Sequence, residues 1–66
     1  MNMRKALIYA RSIRNEAKRN YAYNCISWAE EGGFGNMPEC PDGLSYMAAQ
    51  AVRNRILEYC SEKTRN

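Results

Sequence analysis

Histidine is absent from this 66-residue chain, which removes the side chain best suited to proton transfer near neutral pH and the commonest nitrogen ligand for metals. Cysteine is sparse: Cys25, Cys40 and Cys60 are an odd number at wide spacing, with no C-x-x-C pair. They cannot all pair within one chain or supply a four-ligand metal site, so they read as reduced thiols behaving as small apolar residues, and no cofactor is expected. Long apolar runs are missing too. The N-terminus is basic like that of a signal peptide, but its apolar run ends at Ala10, far short of the roughly 7 to 15 residues that such a peptide needs. Nothing approaches the roughly 20 apolar residues of a membrane span. The expectation is a cytoplasmic protein that does not contact a membrane.

Catalytic sets are equally lacking. There is no Ser/His/Asp or Cys/His arrangement, no phosphate loop and no zinc-protease motif. Glu30 and Glu31 are adjacent and would point apart on a helix, and the GGFG fragment has no lysine after it. The sequence reads as non-enzymatic.

What is present is an amphipathic helical pattern. The composition, 45% hydrophobic and 26% charged, is that of a folding chain. So short a chain has a marginal core by itself and is expected to seek a partner, a second copy first. From residue 3 to about 31 there is neither proline nor glycine, which predicts one long helix of about 43 Å, capped by Asn2 and ended by Gly32 or Gly33. Met3, Ala6, Leu7, Ala10, Ile13, Ala17, Tyr21, Cys25 and Trp28 fall in one sector of it. Arg14 and Asn24 intrude on that sector, so a break near residues 20–24 is the alternative. A loop over 32–41 follows, in which Phe34 and Met37 are expected to fold onto the helices. A second helix over about 42–62 is capped by Asp42, with Leu44, Ala48, Val52, Ile56 and Tyr59 as its stripe; Met47 and Ala51 lie on one flank, Ala49 and Cys60 on the other. The chain is thus expected to be a single all-α domain over 1–66, an antiparallel helical hairpin with a frayed tail at 63–66, dimerising into a four-helix bundle. The expected protein interface is Leu7, Ala10, Ile13, Ala17, Tyr21, Trp28, Phe34 and Met37. A three-helix monomer is the alternative.

The charge is segregated. Residues 1–20 hold Arg4, Lys5, Arg11, Arg14, Lys18 and Arg19 against Glu16 alone, a balance of plus five, while the remainder carries minus two. Arg4, Arg11 and Lys18 are spaced by seven, so on a helix they stand nearly above one another at intervals of roughly 10 Å. Such a ridge suits a phosphate backbone, and it would meet an acidic protein surface equally well. The six cations are the expected nucleic-acid contacts, with Tyr9 and Tyr23, off the apolar stripe, as candidates for stacking on bases. The protein-binding alternative is a modulator of a cellular machine that offers its helices and its loop from Phe34 to Pro41.

The stretch Ala6 to Ala17, ALIYARSIRNEA, resembles the first helix of the Rop or Rom proteins, helical hairpins that dimerise into four-helix bundles and bind paired RNA loops. The likeness rests on the Ala6–Leu7 start and on the Ala10–Arg11 and Ile13–Arg14 pairs. It implies that Arg11, Arg14 and Lys18 lie near an RNA-facing surface. More loosely, a short basic helical protein without a catalytic set is similar to accessory regulators of temperate-phage early regions.

Overall fold

A computed structural model describes residues 2–33 and 35–61. Three helices follow one another: α1 (Met3–Ser12), α2 (Glu16–Glu30) and α3 (Tyr46–Ser61). Each packs on the other two. The all-α class stands, but the single helix expected over 3–31 is two helices, and the interruption falls at residues 13–15 rather than at 20–24.

Local chemistry supports the break. Ile13 (φ −76°, ψ 123°) and Asn15 (φ −68°, ψ 122°) are extended. Asn15 restarts the helix, its side-chain oxygen accepting the Lys18 amide at 2.9 Å, and Glu16 sets a favourable negative charge in the first turn of α2. The Ile13 carbonyl, released from helical bonding, accepts from the Arg19 guanidinium at 3.3 Å. In an unbroken helix Arg14 would lie within the apolar sector and lose its water; at the break it stands exposed. The stretch ALIYARSIRNEA therefore spans the end of α1, the turn and the start of α2.

Breaking the helix also rephases the core. Ala6 and Ala10 of α1, Tyr21, Ala22, Cys25, Ile26 and Ala29 of α2, and Ala49, Val52 and Ile56 of α3 are buried. Ala22, Ile26 and Ala29 lie off the stripe projected for one long helix. Residues 20–24, the alternative place for a break, lie within α2, and Asn24 is exposed. On α3 the flank with Ala49 turns inward, while Met47 and Ala51 turn out.

Glycine ends α2 as expected. Gly32 takes φ 107° and Gly33 φ 70°, and their amides return to the Ala29 and Trp28 carbonyls at 3.1 and 3.0 Å, the paired bonds of a Schellman end. The connection then runs back along α2: Gly33 lies beside the Trp28 ring, whereas the Tyr21 hydroxyl, two turns earlier, donates to the Pro38 carbonyl at 2.7 Å. Met37 tucks against the core as anticipated; Phe34 and the tail 63–66 lie outside the described residues. Asp42 does not cap α3. It belongs to a turn closed by the Leu44 amide on the Pro41 carbonyl at 3.3 Å, with Gly43 at φ 86°, a conformation that ordinary residues resist. Ser45 takes the cap instead, accepting from the Ala48 amide at 3.1 Å, so α3 starts four residues later than Asp42.

Candidate nucleic-acid interface

The site is built on α1 and the turn after it. Asn2 caps α1 by accepting the Lys5 amide at 3.1 Å, and its own amide donates to the Tyr59 carbonyl at 2.9 Å, tying the start of α1 to the end of α3. With Ala6 and Ala10 sealed inside, helical geometry turns Arg4, Lys5, Ile8, Arg11 and Ser12 outward, and all five are exposed. Arg14 extends this surface from the turn, and Lys18 and Arg19 continue it, half-buried, on the first turn of α2.

The electrostatics are one-sided. The segment of α1, MRKALIYARS, contains no acidic residue. Among the described residues Arg55 approaches Glu58 at 4.0 Å on α3, and no ion pair engages Arg4, Arg11, Arg14, Lys18 or Arg19. Arg4 near the positive end of the helix dipole is a local cost, whereas Arg11 in the last turn is favourable. The six sequence-expected cations are thus brought to the α1 face and the adjoining turn, with Arg19 partly engaged by the Ile13 carbonyl. The straight ridge expected from the spacing of seven is bent, because Lys18 belongs to a different helix from Arg4 and Arg11.

The two tyrosines offered for base stacking are placed differently from expectation. Tyr9 is half-buried and its ring packs on Tyr59, centroids 6.0 Å apart and planes tilted by 59°. Burial pushes its phenol above the usual tyrosine range, with Arg55 opposing. Tyr23 also packs against the core. Both rings are occupied as wall material rather than free as platforms.

The residues expected at a protein interface are largely used within the chain. Ala10 and Tyr21 are buried; Leu7, Ile13, Ala17, Trp28 and Met37 are half-buried. Burial pushes the Tyr21 phenol up to about 12, with the Cys25 thiol adding to it and Arg53 opposing. The Cys25 and Cys60 thiols are likewise raised by burial, which keeps them protonated and slow as nucleophiles. Arg53, half-buried beside this group, keeps its Nε buried without a hydrogen-bond partner among the described residues. No group of three metal-ligating side chains is found among the described residues, and no helix there is long and apolar enough to cross a membrane.

Sequence reasoning missed Ile8, Tyr46 and Met47. They are 56%, 68% and 78% exposed; Ile8 and Tyr46 fall outside the apolar stripes of their helices, whereas Met47 was placed on the flank of its stripe and turns out instead. The chain matches no protein-family model, no curated protein and no solved structure.

Proposed function

We propose that this chain is a small non-enzymatic regulatory protein that binds nucleic acid through the basic face of α1 and the turn that follows. The observation that carries this reading is an unbalanced cluster of cations. Arg4, Arg11 and Arg14 are exposed, no carboxylate pairs with them among the described residues, and α1 itself holds no acid. A solvated face that serves only solubility usually mixes both signs. Phosphates would supply the missing countercharge, and their neutralisation releases condensed counterions. The Rop-like stretch agrees with RNA as one such partner and the bent surface with a duplex as another.

Fluorescence anisotropy with duplex DNA, hairpin RNA and single-stranded RNA at two salt concentrations tests it. Binding should weaken steeply with salt, and the Arg11→Glu, Arg14→Glu double variant should lose it across all sequences. Each phosphate contact removed should reduce the slope of log affinity against log salt by about 0.9 on duplex DNA. Unchanged affinity in the double variant would overturn the reading.

A second reading, a protein-binding modulator, is favoured by Tyr46 and Met47 at the start of α3, beside the turn at Pro41–Leu44. A tyrosine and a methionine side by side in water suit a protein contact. The partner could be a second copy, which would give the homodimer expected from the chain's size, or an acidic protein surface. Light scattering in the binding buffer separates the copy from other partners.

A further inference from the structure

Ile8 stands on the wrong side of α1 for a packing residue. It follows the sealed Ala6 by two positions, about 200° around the helix, and so points away from the core with 56% of its surface in water. Its neighbours on the helix surface, one turn either way, are Arg4, Lys5, Arg11 and Ser12, all exposed. A branched apolar side chain is therefore centred among the cations of α1, a helix that carries no acidic residue of its own.

Resting on the nucleic-acid reading above, we infer that this face of α1 lies in the major groove of duplex DNA, with Ile8 against the 5-methyl group of a thymine. Arg4 and Arg11, about 10 Å apart along the helix on either side of Ile8, reach the groove's edges. The fit follows from dimensions and chemistry. The major groove of B-form DNA is about 12 Å wide and admits a helix, and thymine methyls are the apolar features on its floor. The corresponding groove of A-form RNA is too narrow for side chains to read. Single strands would call for free aromatic platforms beside the cations, yet Tyr9 and Tyr23 are packed into the wall and the exposed Tyr46 belongs to α3. A protein partner would require a larger apolar centre than one isoleucine.

Deoxyuridine removes only that methyl group, which gives a direct test. Duplexes enriched by the protein from a randomised pool are resynthesised with deoxyuridine at each thymine in turn. One position should lower affinity about fourfold, the value of one buried methyl group, in the wild type. The Ile8→Ala variant should bind the thymine duplex more weakly and no longer distinguish the two. Equal affinity of the wild type for every thymine and deoxyuridine duplex, with salt-sensitive binding retained, overturns the placement of Ile8 and leaves the basic-face reading standing. A preference for hairpin RNA over duplex DNA does the same. Absence of binding to any of these probes at low salt overturns both. Because Ile8 makes little of the core, its variant should keep the helical content of the wild type, and the wild-type comparison alone decides the case if it does not.

Discussion

The outer faces of α1 and α3 use charge differently. On α3 the exposed polar groups satisfy one another: Arg55 approaches Glu58 at 4.0 Å, and the Gln50 amide donates to Asn54 at 3.2 Å. Its exposed apolar side chains, Tyr46 and Met47 at the start and Leu57, 41% exposed, near the end, stand beside a roughly neutral surface. On α1 the exposed arginines pair with no carboxylate among the described residues, and the exposed apolar residue is centred among them. Paired charges on a helix contribute a few tenths of a kcal/mol and project little field. Unpaired charges of one sign project a field outward and raise the local concentration of anions. The two faces thus suit different partners, a polyanion for α1 and a less charged protein surface for α3.

Both faces exist only while their inner sides are held, so the largest expected effect comes from the shared core. Ile56 is sealed between the helices, and Ile56→Ala should cost about 2–5 kcal/mol through lost transfer energy and the cavity left behind. In a domain this small that is a large share of total stability. Circular-dichroism melts should show the variant unfolded or nearly so at 37 °C. A fully cooperative melt at the wild-type temperature would mean that α3 is not packed as described.

The next effect is pH-dependent and belongs to the strut that holds the α2–α3 connection in place. Tyr21 donates to the Pro38 carbonyl and can do so only while protonated. Its folded pKa is raised from 10.0 to about 12, so its contribution is fully present below about pH 10 and is lost as pH rises through about 12. Two pKa units correspond to about 2–3 kcal/mol. Cys25, raised from 9.0 by burial, acts in the same direction and starts its loss at lower pH. Wild-type melting temperatures should fall steeply above pH 10. Tyr21→Phe should start lower by the value of one hydrogen bond, about 1 kcal/mol, and decline less; a parallel decline would show that folding does not raise the Tyr21 pKa.

Much of the fold was legible in the sequence, for reasons that differ from residue to residue. The Asn2 cap and the glycine end of α2 follow from backbone hydrogen-bond chemistry, which is local. The break at residues 13–15 was legible only in part. Arg14 was a conflict within the apolar sector, and Asn15 followed by Glu16 is a helix start, yet no proline or glycine marks the place. What selects the break is tertiary: it lets Tyr21, Ala22, Cys25 and Ile26 face α1 and α3 together. Asp42 failed as a cap because Gly43 adopts a positive φ and builds a turn, moving the role to Ser45. The cations of the candidate site were visible as composition. The seating of Tyr9 on Tyr59 and the exposure of Ile8 were not, because both depend on which side of α1 the other helices cover.

Asn15 offers a smaller test, and one that sharpens the contrast between the faces. Replacing it with alanine removes the acceptor for the Lys18 amide and should cost about 1 kcal/mol, within the 0.5–2 kcal/mol range of such caps. The same change improves helix propensity at the position, so part of the population should extend helix across residues 13–15 and turn Arg14 toward the apolar side. Thermal melts should show the stability loss. Nucleic-acid affinity should drop with it, whereas Ser45→Ala, the equivalent change at α3, should cost similar stability and leave affinity unchanged. Equal effects of the two variants on binding would show that the turn is not part of the interface.

The smallest effect on stability separates the two outer faces most cleanly. Ile8→Ser on α1 and Met47→Ser on α3 each remove an exposed apolar side chain, and each should change stability by no more than about 0.5 kcal/mol. Their consequences for association should diverge. Ile8→Ser should weaken duplex binding without altering its salt dependence, because no phosphate contact is lost. Met47→Ser should leave that binding intact and, where a second copy covers α3, remove any dependence of the melting temperature on protein concentration, since dimerisation links the two. The opposite pattern, with Met47→Ser impairing nucleic-acid binding and Ile8→Ser only self-association, would exchange the roles of the two helices. It would show that an unpaired cationic field alone does not decide which face meets the polyanion.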